Sequence, residues 1–190
     1  KKIIEDRLKE NGNLKYTLVY VPEGNEPEQE TYPYAERDQI HAVDSDHLID
    51  QYTRVISETN DRTTVREFTS ESKDRDLMLK QFASGELEVL TSMKCLDEGI
   101  DVPRSEFAIF CSSTGNPRQF IQRRGRILRK HPDKHMAVIH DLVVAPVING
   151  SNAAINVERN LLANELKRVQ NFALLSDNSS DSVIELEDVI

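Results

Sequence analysis

Between Pro117 and Arg129 the chain reads Pro-Arg-Gln-Phe-Ile-Gln-Arg-Arg-Gly-Arg-Ile-Leu-Arg. Arg118, Arg123, Arg124, Arg126 and Arg129, with Gln119 and Gln122, crowd around Gly125 in a protein of net charge -9. A cationic cluster of this density repels itself and calls for an anionic partner. Guanidinium is planar, permanently charged and forked, which matches phosphate oxygens. Read as a helix over 118–129, the segment puts Gln122, Arg126 and Arg129 at i, i+4 and i+7 on one face. Ile121, Gly125 and Leu128 share the neighbouring face. That second face is expected to be the packing seam, with Gly125 allowing close approach to a sheet. The first face is then left to present two guanidiniums and an amide, a set suited to charge developing on a transferring phosphoryl group. The alternative, a solvated basic face, predicts carboxylates interleaved one turn away. None lies between Arg118 and Lys130.

A second constellation is Leu96–Pro103, Leu-Asp-Glu-Gly-Ile-Asp-Val-Pro. Gly99 between acids permits a tight turn, and Pro103 forces Val102 to be extended. The Asp101 carboxylate can then accept from a ribose hydroxyl or pair with an arginine. A capped turn carrying surface acids is the alternative. His131 and His135 have ligand-like spacing but no matching third ligand, so exposed histidines near a turn are expected. Tyr16, Tyr20, Tyr32 and Tyr34 are expected in core and loop roles rather than as stacking residues.

Short apolar runs alternating with amphipathic segments must position these groups. A helix is predicted over Lys1–Asn11, with Ile3, Ile4 and Leu8 on one face, and a strand over Tyr16–Val21 stopped by Pro22. The acidic, Pro-rich stretch 22–33 reads as a loop. A helix follows near 45–58 with Ser45 or Asp46 as N-cap, then a strand over Thr63–Phe68. Ser72 is expected to cap a helix over 73–84 that ends at Gly85. Further strands are predicted at Glu88–Ser92, Phe107–Cys111 and Met136–Asp141. A long helix over 157–175 carries Leu161, Leu162, Leu166 and Phe172. The tail 177–190 has five acidic and no basic residues and ends on Val189-Ile190, either a disordered acidic tail or the cut start of another element. Strands separated by helices indicate a mainly parallel sheet with ligands beyond the carboxyl ends of its strands.

At 190 residues the chain makes one large domain or a domain with an appendage. No apolar stretch approaches the roughly 18–20 residues that span a membrane. No signal peptide is visible and the first residue is not Met, so a piece of a longer protein is expected and missing targeting signals carry little weight. Two cysteines with no Cys-x-x-Cys point to a reduced protein, cytoplasmic or nuclear rather than secreted. Cys95 and Cys111 lie in apolar surroundings and are expected to be structural thiols. The acidity is uneven. Residues 118–134 carry seven basic side chains against Asp133, leaving -15 for everything else. Nucleic acid contact is therefore expected to be local, or shared with another domain.

The run Leu-Asp-Glu-Gly-Ile-Asp-Val-Pro, followed by Gln-Arg-Arg-Gly-Arg-Ile-Leu-Arg, resembles motifs V and VI of superfamily 2 helicases. Thr17–Val21 is similar to the strand of motif IV. Phe68-Thr-Ser-Glu, Arg75 and Gln81-Phe-Ala-Ser-Gly-Glu are similar to the segment between motifs IV and V. The resemblance covers 15–143 and is nearest to excision-repair-type DNA helicases and restriction or phage-defence motors. It is further from the DEAD-box RNA group, whose threonine before the motif V glycine is Met93 here, with polar Ser92 and Lys94 beside it. No phosphate-binding loop and no acidic box occur in the chain. The resemblance therefore implies the C-terminal RecA-like lobe alone: a three-layer α/β/α domain over 1–150, then a helical extension with an acidic tail over 151–190. It implies Arg126 and Arg129 at the γ-phosphate of ATP with Gln122 beside them, and Gly99 and Asp101 toward the nucleotide sugar. Thr69, Ser70, Ser92, Lys94, Ser113 and Arg118 are implied at DNA phosphates. The Mg2+ ligands would lie in the N-terminal RecA-like lobe, and repair or defence subunits are further implied partners. The alternative is a non-catalytic helicase-like module that binds DNA or protein.

Overall fold

The computed structural model describes residues 1–22, 48–93, 102, 104–111, 117–143 and 152–187. Helix α1 (Lys2–Asn11) leads to strand β1 (Thr17–Tyr20), and helix α2 (48–57) to β2 (Val65–Glu67). Then come α3 (Arg75–Ser84), β3 (Val89–Ser92), β4 (Phe107–Phe110), α4 (Pro117–Ile127) and β5 (Val138–Asp141). Helices α5 (Asn152–Ala173) and α6 (Ser179–Glu187) complete the described chain. It divides into two compact units, Lys1–His140 and Asp141–Ile190.

The strands form one sheet in the order β2-β3-β1-β4-β5. β1 pairs in parallel with β3 and with β4, and β2 in parallel with β3. Every residue of β1, β3 and β4 is buried, as continuous apolar strands covered on both faces require. Side chains alternate across the sheet. One face gathers Val19, Val89, Phe107 and Ile109 against Ile4 of α1 and Ile49 and Ile56 of α2. The other carries Leu18, Tyr20, Leu90 and Phe110, and Phe120 of α4 meets the Phe110 ring edge-on at 5.9 Å. The expected mainly parallel α/β/α sandwich is therefore present.

Each predicted strand is found within a residue or two of its expected bounds. Helix α1 buries Ile4, with Ile3 and Leu8 half-buried beside it, as its spacing required. Gly85 ends α3 at φ 77°, and a Cβ there would stand 3.1 Å from Lys15 Cδ and from the Tyr16 hydroxyl. Both conformation and space thus select glycine.

The N-cap of α3 is a correction. Asp74, at φ 58°, occupies the cap position, not Ser72. The Ser72 hydroxyl is spent on the preceding turn: it accepts from the Thr69 N–H at 2.8 Å and donates to the Glu67 carbonyl at 3.1 Å. In the second unit, α5 begins five residues earlier than expected, with Leu162, Leu166 and Phe172 half-buried, and the acidic tail folds as α6, packed on α5. Ser45, Asp46, Tyr32, Tyr34, Cys95, nearly all of the loop at 22–33 and the Leu161 side chain lie outside the described residues.

Candidate nucleotide and nucleic-acid site

The register brings Tyr20, Ser92 and Phe110 level, so the three central strands end on one line. Just beyond it, the Val21 N–H donates to the Ser92 carbonyl and the Cys111 N–H to the Tyr20 carbonyl, both at 2.9 Å. Helix α4 is seated at this edge. Tyr20 and Phe110 meet edge-on at 5.0 Å, and Phe120 extends the aromatic row.

Arg123 completes the seat. It is 3% exposed, its guanidinium lies 5.0 Å from the centre of the Tyr20 ring, and Nη2 donates to the Met93 carbonyl at 3.1 Å. One buried cation thus joins α4 to β1 and to the first residue after β3. This overturns the expected packing seam. Ile121 and Leu128 are 56% and 53% exposed, and nothing stands within 4 Å of where a Gly125 Cβ would be. The packed side is Phe120, Arg123 and Ile127, at i, i+3 and i+7. An aromatic ring and a long aliphatic stem ending in a stacked guanidinium fill more of the sheet surface than the smaller Ile121-Gly125 stripe would. Apolarity alone does not reveal this, because arginine is polar at its head while its stem can be buried. Arg123→Met is expected to cost about 1–3 kcal/mol, since it abolishes the stacking and leaves a half-buried carbonyl without this donor. Urea unfolding of the chain measures it.

The three residues expected to act on phosphate are not equivalent. Gln122 is exposed, while Arg126, one turn later, is 8% exposed at the flank of the packed side. Helix α4 stops at Ile127, two residues before the expected end, so Arg129 lies in the turn beyond it, exposed. Its backbone N–H reaches the Arg126 carbonyl at 3.4 Å. Lys134 folds back on this turn: Nζ donates to the Ile127 carbonyl and, at 3.1 Å, to the Arg129 carbonyl. Burial pushes the Lys134 ammonium below the ordinary lysine value, opposed by Glu106. Sequence reading missed this lysine, although a basic residue just past a helix end is a known partner for its last carbonyls.

Of the residues expected at nucleic acid, Thr69 is half-buried and Ser70 exposed, in the turn that Ser72 pins after β2. Ser92 is fully buried in β3. Lys94, Gly99, Asp101, Ser113 and the side chain of Arg118 lie outside the described residues. His131 belongs to a turn, accepting from the Asp133 N–H through Nδ1 at 3.3 Å, and His135 is exposed. Tyr16 and Tyr20 both sit in packed aromatic contacts. Burial pushes the Cys111 thiol up to about 12, so it holds almost no thiolate at neutral pH. Among the described residues no helix is long and apolar enough to cross a membrane.

A sequence profile of the helicase conserved C-terminal domain matches residues 30–131. The chain is 40% identical over 72 residues to the DNA 3'-5' translocase XPB2 of Sulfurisphaera tokodaii, a match covering 38% of this chain and 16% of that protein. It is 33% identical over 109 residues to the putative DNA 3'-5' helicase Rad25 of Haloarcula marismortui, covering 57% of this chain and 17% of the relative. The chain therefore spans less than a fifth of these relatives. In fold it is similar to the C-terminal part of the Fun30 ATPase domain, with a TM-score of 0.57 at 16% identity over 99% of this chain and 51% of that one. Domain 2 of the DEAD-box helicase Mss116p, solved on an RNA duplex, gives a TM-score of 0.55 at 13% identity over 97% of this chain and 71% of that one.

Proposed function

The chain belongs to the helicase conserved C-terminal domain family, and on that premise we propose that it is the second motor lobe of a longer ATP-dependent DNA helicase or translocase of superfamily 2. The observation that carries the reading is the seat of α4. An arginine-rich helix is fixed at the level carboxyl ends of parallel strands, where ligands of open α/β sheets bind. Arg126 and Arg129 are the guanidiniums that meet the γ-phosphate of ATP, with Gln122 beside them. Gly99 and Asp101 face the nucleotide sugar.

The donor set fits phosphate rather than a metal ion. Among the described residues no group of three or more His, Cys, Asp or Glu stands close enough to hold one. In this reading the ligands of Mg2+ belong to an N-terminal RecA-like lobe, as the resemblance implies, and bound Mg-ATP supplies the phosphoryl group that is cleaved. This lobe contributes the anion-stabilising half. The apolar stripe of Ile121 and Leu128, open on the outer side of α4, suits an apposed protein surface. Thr69, Ser70, Lys94, Ser113 and Arg118 hold phosphates of a DNA strand, a mode that needs no base reading. Ser92, buried as it is, supports the edge rather than leading the contact.

A half-site makes a sharp prediction for the chain alone. Titration calorimetry with Mg-ATP is expected to give weak or undetectable binding, and the chain is expected not to turn ATP over. Tight binding or DNA-stimulated hydrolysis by the chain alone overturns the reading. A non-catalytic module is separated from a motor lobe by the full polypeptide, which hydrolyses ATP in response to DNA only in the second case.

A further inference from the structure

We propose that Lys134 is a positioning residue for Arg129, acting as an ammonium clamp on the turn that follows α4. The inference rests on the reading of Arg129 as a phosphate-facing residue and deepens it.

A helix leaves its last carbonyls without intrahelical partners. At the end of α4, the Arg124 carbonyl accepts from the Leu128 N–H at 3.0 Å, and the Arg126 carbonyl from the Arg129 N–H at 3.4 Å. The Ile127 and Arg129 carbonyls are both taken by Lys134 Nζ. One side chain thus grips the last helical residue and Arg129 itself, fixing the backbone from which the Arg129 side chain departs.

The clamp is itself anchored. The Lys134 N–H donates to the His131 carbonyl at 3.0 Å, closing the 131–134 turn. Asp133 in that turn accepts from Arg104 Nη1 at 3.5 Å. Arg104 is held by Glu106 at 2.7 Å and lies 4.0 Å over the Tyr16 ring. The Glu106 carbonyl accepts from the Val138 N–H at 2.9 Å. A chain of contacts therefore runs from the sheet through Arg104 and Asp133 to Lys134 and the Arg129 backbone. Lys134 also adds a positive charge where the helix dipole is negative, which favours it there. An arginine that must meet a developing charge within a fraction of an ångström needs such support, because it lies outside the helix that holds Arg126.

A plain helix cap would stabilise the fold without acting through Arg129, and a double-mutant cycle in the full polypeptide separates the two. ATP turnover is measured with saturating DNA for wild type, K134M, R129A and the double variant, with a melting temperature for each. K134M is expected to lower kcat about tenfold with little change in KM for ATP, and to add less than about twofold in the R129A background. K134R should restore most of the rate. K134Q, which keeps a donor but no charge, should fall between K134M and wild type, and it serves if K134M does not fold. Additive losses in the cycle, or a wild-type rate for K134M and K134Q beside an impaired R129A, overturn the clamp. A wild-type rate for R129A overturns the reading of Arg129 and the clamp with it.

Discussion

Arg126→Ala in the full polypeptide is expected to lower DNA-stimulated ATP turnover by about 10³–10⁵-fold, the range spanned by arginines that stabilise phosphoryl transfer. The expectation starts from geometry. Arg126 stands one turn after Gln122 on α4, and that helix is held at the carboxyl edge by Phe120 on Phe110 and by Arg123 on Tyr20 and the Met93 carbonyl. A guanidinium on so firm a base does not have to be reorganised when charge develops, which is what makes electrostatic stabilisation effective. The loss should fall on kcat more than on KM for ATP, because the interaction strengthens in the transition state. Arg126 is largely buried, so its removal also costs stability, and the melting temperature of each variant must accompany the rates. Arg126→Lys separates the effects: it keeps a charge and most of the stem but loses the planar fork. It should melt near the wild type and still turn over at least tenfold more slowly, by about 1.4 kcal/mol or more in barrier. A rate near wild type in Arg126→Ala overturns the arginine's assigned role.

The central strands were legible because β1, β3 and β4 are short, mainly apolar runs bounded by Pro22, Gly85 and polar turns, and buried strands leave that mark in any sequence. The location of the candidate site was legible for a related reason: α4 follows β4 and must begin at the carboxyl edge. The orientation of α4 was not. Ile121, Gly125 and Leu128 look like a seam if arginine is scored as polar throughout, but Arg123 buries a stem and stacks its head on Tyr20. Ser72 misled in the same way. A serine before a helix is a good cap, yet its hydroxyl had a nearer use on the Thr69–Ser72 turn. Lys134 acts across five residues or more on backbone atoms, and the clamp exists only once the helix has stopped at Ile127. Such contacts depend on where one element ends, the quantity that spacing rules fix least well.

Arg168→Met is expected to destabilise the Asp141–Ile190 unit by about 3–5 kcal/mol at neutral pH, the cost of breaking a buried ion cluster by removing one partner. In that unit Arg168 donates through Nη1 to Asp141 and through Nη2 to Glu165 at 2.7 Å, and all three side chains are nearly excluded from solvent. Asp141 closes β5, and Glu165 and Arg168 sit one turn apart on α5. Burial lifts the Asp141 carboxyl above its ordinary value, and the Arg168 hydrogen bond opposes the lift. Without the guanidinium the lift at Asp141 is unopposed. A carboxyl whose folded pKa lies above its unfolded one favours folding most below the unfolded value, and that contribution is lost as pH rises through the folded value. The deficit of Arg168→Met should therefore be largest near neutral pH and shrink steadily as the solution is acidified toward the ordinary carboxylate range. Urea unfolding at a series of pH values, followed by helical circular dichroism, tests both size and slope. Replacing the whole cluster, as Asp141→Leu, Glu165→Met and Arg168→Met together, should recover most of the loss, because no uncompensated charge is left behind. A deficit in Arg168→Met that stays below about 1 kcal/mol, or one that grows on acidification, would show that the cluster is solvated enough to act as a surface pair.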